Sequence, residues 1–321
     1  MKYFILGNGN AREHCTYLHF IKNLHPNDFV SFALLKDNGL LSSLPNVYRV
    51  KNDLEAIQLA LDLKIDLVIL LSPDLLLEGV YDKFTFHGLR VFGVPYETTK
   101  LESSKIFSKK FMYKYNIPTP IAHFFDSPHE AIDFIRSNWI DAEKEYVIKL
   151  DNFSDYAHER VIIPRSIIDA EINILYIFSK EKEKINILIE EKLVGVEYSL
   201  HVIFDGKDYK IFPIAMDYKK LKDKNNGPNT HGMGSIASDC LIKEEIIKNI
   251  ELSILKPTFE GIKKEKLEYK YILYFGLINV KNNWYVLEYN VRSGNPEWCS
   301  ILSLVDSSIA NLFSSTNNQQ L

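Results

Sequence analysis

A carboxylate, an amide and a guanidinium occupy alternate positions late in the chain, at Glu288, Asn290 and Arg292. On a β-strand these three side chains share one face, because side chains alternate with a period of two. Carboxylate and amide oxygens suit Mg²⁺, and an arginine beside them can hold an oxyanion that the metal does not reach. The polar outer face of an edge strand is the alternative, but the Gly-Asn-Pro loop at 294–296 favours a site.

A second candidate is the glycine turn at 7–14, Gly-Asn-Gly-Asn-Ala-Arg-Glu-His, which leads from a short apolar run into a helix. Such a turn presents backbone N–H groups and the positive end of the helix dipole to an anion. The third glycine of a dinucleotide-binding fingerprint is absent, and Ala11 stands near its place. A tight structural turn between strand and helix is therefore an equal alternative.

An acidic connection at 189–197 joins two predicted strands and ends at Glu197. Its main-chain groups fit the hydrogen-bonding edge of a purine, and Glu197 could accept hydrogen bonds from ribose hydroxyls. A plain acidic loop is the alternative. Lys105 and Lys149 are ambiguous too, because a lone lysine usually keeps its ammonium in solvent. Lys149 follows the apolar run at 146–148, where a charge that points into a cleft is more informative.

The elements that must position these residues follow two patterns. In the first hundred residues strands alternate with helices: strands at 3–6, 29–35, 66–71 and 90–94, helices at 11–24, 54–63 and 75–87. This alternation predicts a parallel sheet with right-handed crossovers, whose ligands lie beyond the carboxyl ends of its strands. The later half is predicted to be antiparallel α+β, with helices at 101–115, 131–138, 167–179 and 241–262, a hairpin over 272–289, and a frayed tail from 314.

Composition narrows the class of protein. The 321 residues are 46% apolar and 25% charged, and the net charge of −4 favours neither a nucleic acid nor an anionic membrane as partner. No apolar run approaches the roughly 18 residues of a membrane span, and the first residues read as a strand rather than a signal peptide. Cys15, Cys240 and Cys299 are scattered, which fits a reducing cytoplasm and excludes a disulfide framework.

Taken together and in order, these segments resemble the phosphoribosylamine–glycine ligase family of the ATP-grasp superfamily. The resemblance covers essentially the whole chain and rests on five blocks: the turn at 7–14, the strand and loop at 65–76, the helix and proline segment at 101–119, the loop at 217–234, and the strand and loop at 288–297. The Gly-Pro-Asn-Thr sequence at 227–230 and the strand that carries Glu288 are the most specific of these.

The resemblance implies an α/β plus α+β chain: an ATP-grasp fold with an N-terminal Rossmann-like (pre-ATP-grasp) domain of parallel sheet and a small lid subdomain. The implied boundaries are 1–100 for the Rossmann-like domain, 101–118 for a linker helix, 119–190 for the lid, 191–313 for the ATP-grasp body and 314–321 for a flexible tail.

The resemblance also implies roles for individual residues. ATP would be bound by Lys105, Lys149, Glu190, Glu191, Leu193 and Glu197. Mg²⁺, or Mn²⁺ in its place, would be bound by Glu288 and Asn290. Substrates would be bound by Gly9, Asn10, Arg12, Glu13, Pro228, Asn229 and Thr230, and Arg292, Lys219 and Asp217 would be catalytic.

The chemistry implied by the family is transfer of the γ-phosphoryl group of ATP to a carboxylate, followed by attack of an amine on the acyl phosphate. The partners would be a small-molecule carboxylate and an amine. Family relatives often pair as dimers, so a homodimer is included among the expected partners.

Three departures from the family pattern stand out. The family lid carries a glycine-rich loop, whereas this chain has no glycine from Asp151 to Val194; side chains of His158 and Arg160 would then replace backbone contacts to phosphate. The family has a further C-terminal domain, which we expect to be absent here. The loop at 36–41 lacks the small residues that help to hold the phosphoribosyl group in the family.

Two of these departures concern the phosphoribosylamine side, so the sequence predicts a carboxylate–amine ligase with a changed amine acceptor. The alternatives are a shortened phosphoribosylamine–glycine ligase of purine synthesis and a non-catalytic nucleotide-binding paralogue.

Overall fold

The computed structural model describes residues 1–139, 145–151, 161–180, 185–223, 226–230 and 232–321. These residues form a five-stranded, a four-stranded and a six-stranded sheet, together with a separate two-stranded pair. The three larger sheets follow one another along the chain, so we describe the molecule as an N-terminal part, a lid and a body.

The N-terminal part contains a parallel sheet, as predicted, with the strand order β3-β2-β1-β4-β5. Its strands are β1 (Lys2–Gly7), β2 (Phe29–Leu34), β3 (Val47–Arg49), β4 (Leu67–Leu70) and β5 (Val91–Phe92). Its helices are α1 (Ala11–Asn23), α2 (Asp53–Asp62), α3 (Pro73–Leu77) and α4 (Val80–Phe86). The central strands are almost continuously apolar because helices cover both faces of such a sheet.

Two helices predicted as continuous are broken. The predicted helix at 75–87 is divided into α3 and α4 at Gly79, whose φ of +69° lies in the left-handed region that glycine adopts without steric cost. The predicted helix at 101–115 is divided into α5 (Lys100–Ser103) and α6 (Lys105–Lys114). Ser104 has extended backbone there, and its hydroxyl accepts a hydrogen bond from the N–H of Phe107 as an N-cap.

The lid is an antiparallel sheet of order β6-β9-β7-β8, covered by two helices. Its strands are β6 (Ala122–Phe125), β7 (Tyr146–Leu150), β8 (Val161–Ile162) and β9 (Ile187–Glu191), and its helices are α7 (Pro128–Asn138) and α8 (Ile167–Lys180). Apolar side chains from both helices and from the strands β7 and β9 form a core of their own, which includes Ile135, Ile148, Ile174 and Ile187. The lid therefore has an interior separate from the rest of the chain.

The body is an antiparallel sheet of order β15-β12-β10-β16-β17, with β11 paired to β10. Its strands are β10 (Val196–Phe204), β11 (Tyr209–Ile211), β12 (Ile214–Asp217), β15 (Ser235–Ser238), β16 (Tyr271–Val280) and β17 (Asn283–Asn290). The separate pair is β13 (Lys220–Lys222) with β14 (Asn226–Asn229). The helices are α9 (Glu244–Ile250), α10 (Lys256–Lys264), α11 (Glu297–Leu302) and α12 (Ile309–Asn317). The predicted hairpin at 272–289 is confirmed, whereas the predicted helix at 241–262 begins at Glu244 and contains a π-helical turn over Glu251–Leu255.

One hydrophobic core joins the N-terminal part to the body. Phe92 of β5 packs edge-to-face against Tyr271 of β16 and stacks on Phe313 of α12, with ring centroids 4.7 and 4.0 Å apart. The segment expected as a flexible tail at 314–321 instead contains the last turn of α12, where Thr316 is fully buried. It packs rather than frays because α12 closes the seam between the two sheets. Within the described ranges, no helix combines the length and apolarity that a membrane span requires.

Candidate active site

Glu288, Asn290 and Arg292, which the sequence predicts on one strand face, line one cavity. Glu288 and Asn290 lie two positions apart on β17, and the Nδ2 atom of Asn290 is 3.4 Å from Oε1 of Glu288. Glu288 pairs with Gly276 of β16, next to an irregularity in the ladder. A Cβ atom at Gly276 would stand 3.2 Å from Cγ of Glu288. The absence of a side chain at Gly276 therefore leaves room for the Glu288 carboxylate.

Arg292 follows the end of β17 and is fixed by two partners. Its Nη2 donates to Oδ1 of Asn290 at 2.7 Å, and its Nε donates to Oε1 of Glu102 at 3.1 Å. The second oxygen of Glu102 accepts the N–H of Val291 at 2.8 Å. Glu102 thus accepts hydrogen bonds from both the side chain of Arg292 and the backbone before it, and these bonds hold the guanidinium in one orientation.

The cavity has a volume of about 270 Å³ and lies between the helices after residue 100, the lid strands and β17. It is lined by Leu101, Glu102, Lys105, Ser108, Lys109, Met112, Lys149, Val161, Leu188, Leu287, Glu288, Tyr289, Asn290 and Arg292. The structure therefore brings together five of the predicted residues from three separate parts of the chain: Lys105, Lys149, Glu288, Asn290 and Arg292.

Cations dominate the electrostatics around Glu288. Burial alone would raise the pKa of Glu288, but the charges of Lys219, Lys105, Lys149 and Arg292 outweigh it and hold that pKa below its usual value. Glu288 is therefore a carboxylate at neutral pH, in a site that otherwise attracts anions.

Glu288 and Asn290 fit a divalent cation that retains other ligands. In the described part of the chain, no three His, Cys, Asp or Glu side chains gather into a cluster that could hold a metal alone. Mg²⁺ is usually held by one or two protein oxygens together with water and substrate phosphates. One carboxylate and one amide oxygen in a cavity lined with lysines are consistent with that mode.

Two lysines that line the cavity, Lys109 and Lys149, share the buried carboxylate of Glu190, which is not itself a lining residue. One oxygen of Glu190 on β9 lies 2.9 Å from Nζ of Lys109, and the other forms an ion pair with Lys149 on β7. All three side chains are at most 10% exposed. Such a buried group of charges is stable only when each charge has a partner.

The rest of the acidic connection lies apart from this group. Glu191 accepts a hydrogen bond from the N–H of Ile121 at 3.0 Å, so its carboxylate is bound to the neighbouring strand and not to the cavity. Leu193 is half-buried, and Glu197 is exposed, with its carboxylate 4.0 Å from Nζ of Lys219. None of these three residues lines the described cavity.

The glycine turn uses two of its amides within the chain, as the structural alternative predicts. Oε2 of Glu13 accepts the N–H groups of Gly9 and Asn10, at 2.7 and 3.0 Å, and Asn10 caps α1 in return. Glu13 is fully buried, and burial raises its pKa to about 7. Gly7 is needed because a Cβ atom there would stand 2.3 Å from the Glu13 carboxyl carbon. The carboxylate of Glu13 thus occupies the position beside these amides where a ligand anion was predicted.

Arg12 connects this turn to the loop after β17. It is buried, and its Nη1 donates to the carbonyl of Ser293 at 2.7 Å. The turn and the loop that follows Arg292 therefore form one wall, which places the N-terminal part beside the cavity.

The loop around Pro228 and Thr230 packs against the same wall from the body side. The hydroxyl and the N–H of Thr230 both bond to the carbonyl of Lys219, at 2.8 and 2.7 Å. Gly232 has a φ of +112°, and a Cβ atom there would stand 2.4 Å from Cδ of Pro296. The loop and the Gly-Asn-Pro segment are thus in close contact.

Asp217 lies at the end of β12, under this loop. Its Oδ1 atom is buried and has no hydrogen-bond partner among the described residues. Burial, reinforced by the nearby charge of Glu297, raises the pKa of Asp217 to about 6. A buried carboxylate with an unused acceptor is suited to receive a hydrogen bond or a proton from a ligand.

His158, Arg160 and the side chain of Asn229 lie outside the described residues. Three residues that line or support the site were not predicted from the sequence. Lys109 is one turn from Lys105 on α6, a spacing that could have indicated a shared face. Glu102 carried no comparable signal.

His201 is the third of these. Its Nε2 accepts the N–H of Gly294 at 2.8 Å, and burial lowers its pKa to about 4, so the ring is neutral. It lies on β10, far from Gly294 in sequence, and only the folded sheet brings the two together.

The fold and this site define an ATP-grasp ligase, an enzyme class that joins a carboxylate to an amine with formation of a C–N bond. The model of the phosphoribosylglycinamide synthetase ATP-grasp (A) domain matches residues 103–298. The chain belongs to the phosphoribosylglycinamide synthetase (phosphoribosylamine–glycine ligase) family.

Relatives along the whole chain agree with that assignment. The phosphoribosylamine–glycine ligase of Caldanaerobacter subterraneus subsp. tengcongensis is 35% identical over 98% of this chain and 75% of its own length. The Clostridium acetobutylicum ligase of the same name is 33% identical over 100% and 76%. The crystal structure of phosphoribosylamine–glycine ligase from Thermotoga maritima superposes with a TM-score of 0.80 at 29% identity, covering 100% of this chain and 76% of that one.

Proposed function

We propose that this chain ligates glycine to phosphoribosylamine with ATP, through a glycyl phosphate. The contact between Arg12 and Ser293 carries the proposal, because it joins the N-terminal turn to the loop that follows Arg292. A substrate held by the N-terminal part would then lie beside the carboxylate that reacts in the cavity. The names of the relatives support glycine and phosphoribosylamine as the two partners.

The changed amine acceptor expected from the sequence has no support in these relatives. The unusual loop at 36–41, one reason for that expectation, is still built onto the glycine turn. Asn38 donates to the carbonyl of Gly9 at 2.7 Å and accepts the N–H of Leu41 at 3.0 Å. A different composition has therefore not removed this loop from the N-terminal wall.

In the proposed reaction, Lys105 and Lys149 bind the nucleotide phosphates, and Arg292 holds the glycine carboxylate in line with the γ-phosphoryl group. Phosphoryl transfer depends mainly on positioning and on neutralisation of charge. Glu288 and Asn290 would hold Mg²⁺, which neutralises phosphate charge when it is bound.

The amine then attacks the carbonyl carbon, the C–O bond to phosphate breaks, and Asp217 accepts the proton that the amine loses. Lys219 keeps Asp217 and its acidic neighbours from repelling the phosphorylated intermediate.

The experiment is an assay for ADP with Mg²⁺, glycine and phosphoribosylamine formed in place from ribose 5-phosphate and ammonia. We expect one ADP per amide with both substrates present and only background ADP when either is omitted. ADP with glycine and another amine, but none with phosphoribosylamine, would overturn the assigned acceptor. ATP binding without ADP from any pair would instead indicate the nucleotide-binding paralogue.

A further inference from the structure

The carboxylate of Glu190, which Lys109 and Lys149 share, reduces the positive charge that Lys149 presents to the cavity. Lys149 faces the cavity, yet its ammonium is paired with Glu190. A lysine fully neutralised by a carboxylate attracts phosphate weakly, because the two charges cancel at the distance of a ligand. Something must therefore offset Glu190 if Lys149 is to act as a cation.

Lys109 supplies that offset. With Lys109, Lys149 and Glu190 all ionised, the group carries a net charge of +1; without Lys109 the net charge is zero. Lys109 is only 2% exposed, so water does not screen its charge from Glu190. We propose that Lys109 is a positioning residue that neutralises Glu190 and so leaves Lys149 available to the nucleotide phosphates.

The surroundings of Lys109 hold it in this role. Its ammonium donates to Oγ1 of Thr119 at 2.6 Å and to the carbonyl of Pro120 at 3.0 Å, in addition to the ion pair with Glu190. The ammonium therefore donates two hydrogen bonds to the protein and forms an ion pair with Oε2 of Glu190 at 2.9 Å. Lys109 and Lys149 both line the cavity, but the ammonium of Lys109 is also held by its hydrogen bonds to Thr119 and Pro120.

The same contacts couple the lid to the body. Thr119 donates in turn to the carbonyl of Val286 on β17 at 2.7 Å, two positions before Glu288. Lys109 therefore links the lid strand that carries Glu190 to the strand that carries the proposed metal ligands.

The test compares binding of ATP with binding of adenosine, which lacks the phosphates, by titration calorimetry. Lys109→Met should weaken ATP binding by roughly 10–100-fold, the effect of one charge several ångströms away at an effective dielectric near 20. It should change adenosine binding by less than about threefold. Lys109→Arg should retain most of the affinity for ATP, and Lys114→Met is the matched control, because Lys114 lies on the same helix but is 63% exposed.

The double variant Lys109→Met/Glu190→Gln restores the net charge of +1. We expect its preference for ATP over adenosine to return to within a few-fold of the wild-type value. A merely structural role predicts the opposite, since the second substitution would add damage to the first. Equal losses for ATP and adenosine, or no recovery in the double variant, would overturn the proposal.

Folding does not limit this test. If Lys109→Met fails to fold, Glu190→Gln alone gives a net charge of +2 and should raise the ratio of ATP to adenosine affinity; a lower ratio would contradict the proposal. The inference rests on the proposed nucleotide site, and the two fail differently. A wild-type chain that does not bind ATP overturns the site, whereas tight ATP binding that is unchanged in Lys109→Met overturns only the role of Lys109.

Discussion

Arg12 donates a 2.7 Å hydrogen bond to the carbonyl of Ser293, a residue 281 positions away in the sequence. The bond joins the first turn of α1 to the loop after β17, and both partners are buried. It links the N-terminal part to the residue that directly follows Arg292, which lines the cavity.

Replacement of Arg12 by alanine should impair the amine substrate more than ATP. Loss of a charged, buried hydrogen bond costs about 1.5–3 kcal/mol, so we expect KM for phosphoribosylamine to rise by roughly 10–100-fold. KM for ATP should change little. Steady-state kinetics with each substrate varied in turn measures both constants, and Lys22→Ala, an exposed cation on the same helix, is the control. An equal rise in both constants would contradict a role on the amine side.

Arg292→Ala should lower turnover by about 10²–10³, as for loss of a donor that stabilises a transition state. The affinity for ATP, measured by titration, should fall much less, because Arg292 is assigned to the carboxylate and not to the nucleotide. Arg49→Ala removes an exposed arginine from a surface ion pair and should leave kcat unchanged. An unaltered kcat in Arg292→Ala would refute the assignment.

Glu288→Gln should raise the Mg²⁺ concentration needed for half-maximal activity by about tenfold or more. The substitution keeps the shape of the side chain and removes the negative charge that suits a hard cation. A chelator should abolish ADP formation by the wild-type chain, and added Mg²⁺ should restore it. Glu260→Gln, on the exposed side of α10, is the control. The same Mg²⁺ titration in Glu288→Gln and wild type would count against the metal site.

The pKa of Asp217, raised from 3.8 to about 6, predicts two effects of pH. If the carboxylate accepts a proton from the amine, kcat/KM should rise with pH through about 6. Asp217→Asn should lose this rise with pH together with most of the activity.

The folded chain holds the proton of the Asp217 carboxyl group more tightly than the unfolded chain does. Asp217 therefore also favours folding below pH 4, and that contribution is lost as the pH rises to about 6.

Urea unfolding at several pH values measures the second effect. The difference in the free energy of unfolding between wild type and Asp217→Asn should change between pH 4 and pH 6 and stay constant above that range. A constant difference across the whole range would show that Asp217 has its ordinary pKa in the folded chain.

Local sequence patterns correctly predicted the features of the fold and site that depend on the geometry of a single strand or helix. The period-two spacing of Glu288 and Asn290 was enough to place them on one face, and alternating strands and helices were enough to predict the parallel sheet. The breaks at Gly79 and Ser104 were missed because each also fits the apolar periodicity of a continuous helix. Ser104 is fixed in part by Asp151, whose carboxylate accepts a hydrogen bond from its hydroxyl across 47 positions.

Long-range packing determined the features of the site that local sequence patterns did not predict. The spacing of Asn10 and Glu13 fits a capping box, whereas the same turn also fits a ligand contact, and the buried position of the Glu13 carboxylate decides between them. Lys109 resembles any other lysine of an amphipathic helix until Thr119, Pro120 and Glu190 surround it. The surroundings of Lys109 come from residues 10 to 81 positions away, so no local pattern could reveal them.

The separate interior of the lid has a consequence for the dynamics of the chain. The lid encloses its own apolar cluster, whereas the N-terminal part and the body share another. Cooperative opening follows such contiguous units, so the amides of β7 and β9 should exchange with deuterium together and at a different rate from those of β1 and β16. Nucleotide binding can therefore slow deuterium uptake by the lid while uptake by the N-terminal part and the body stays the same.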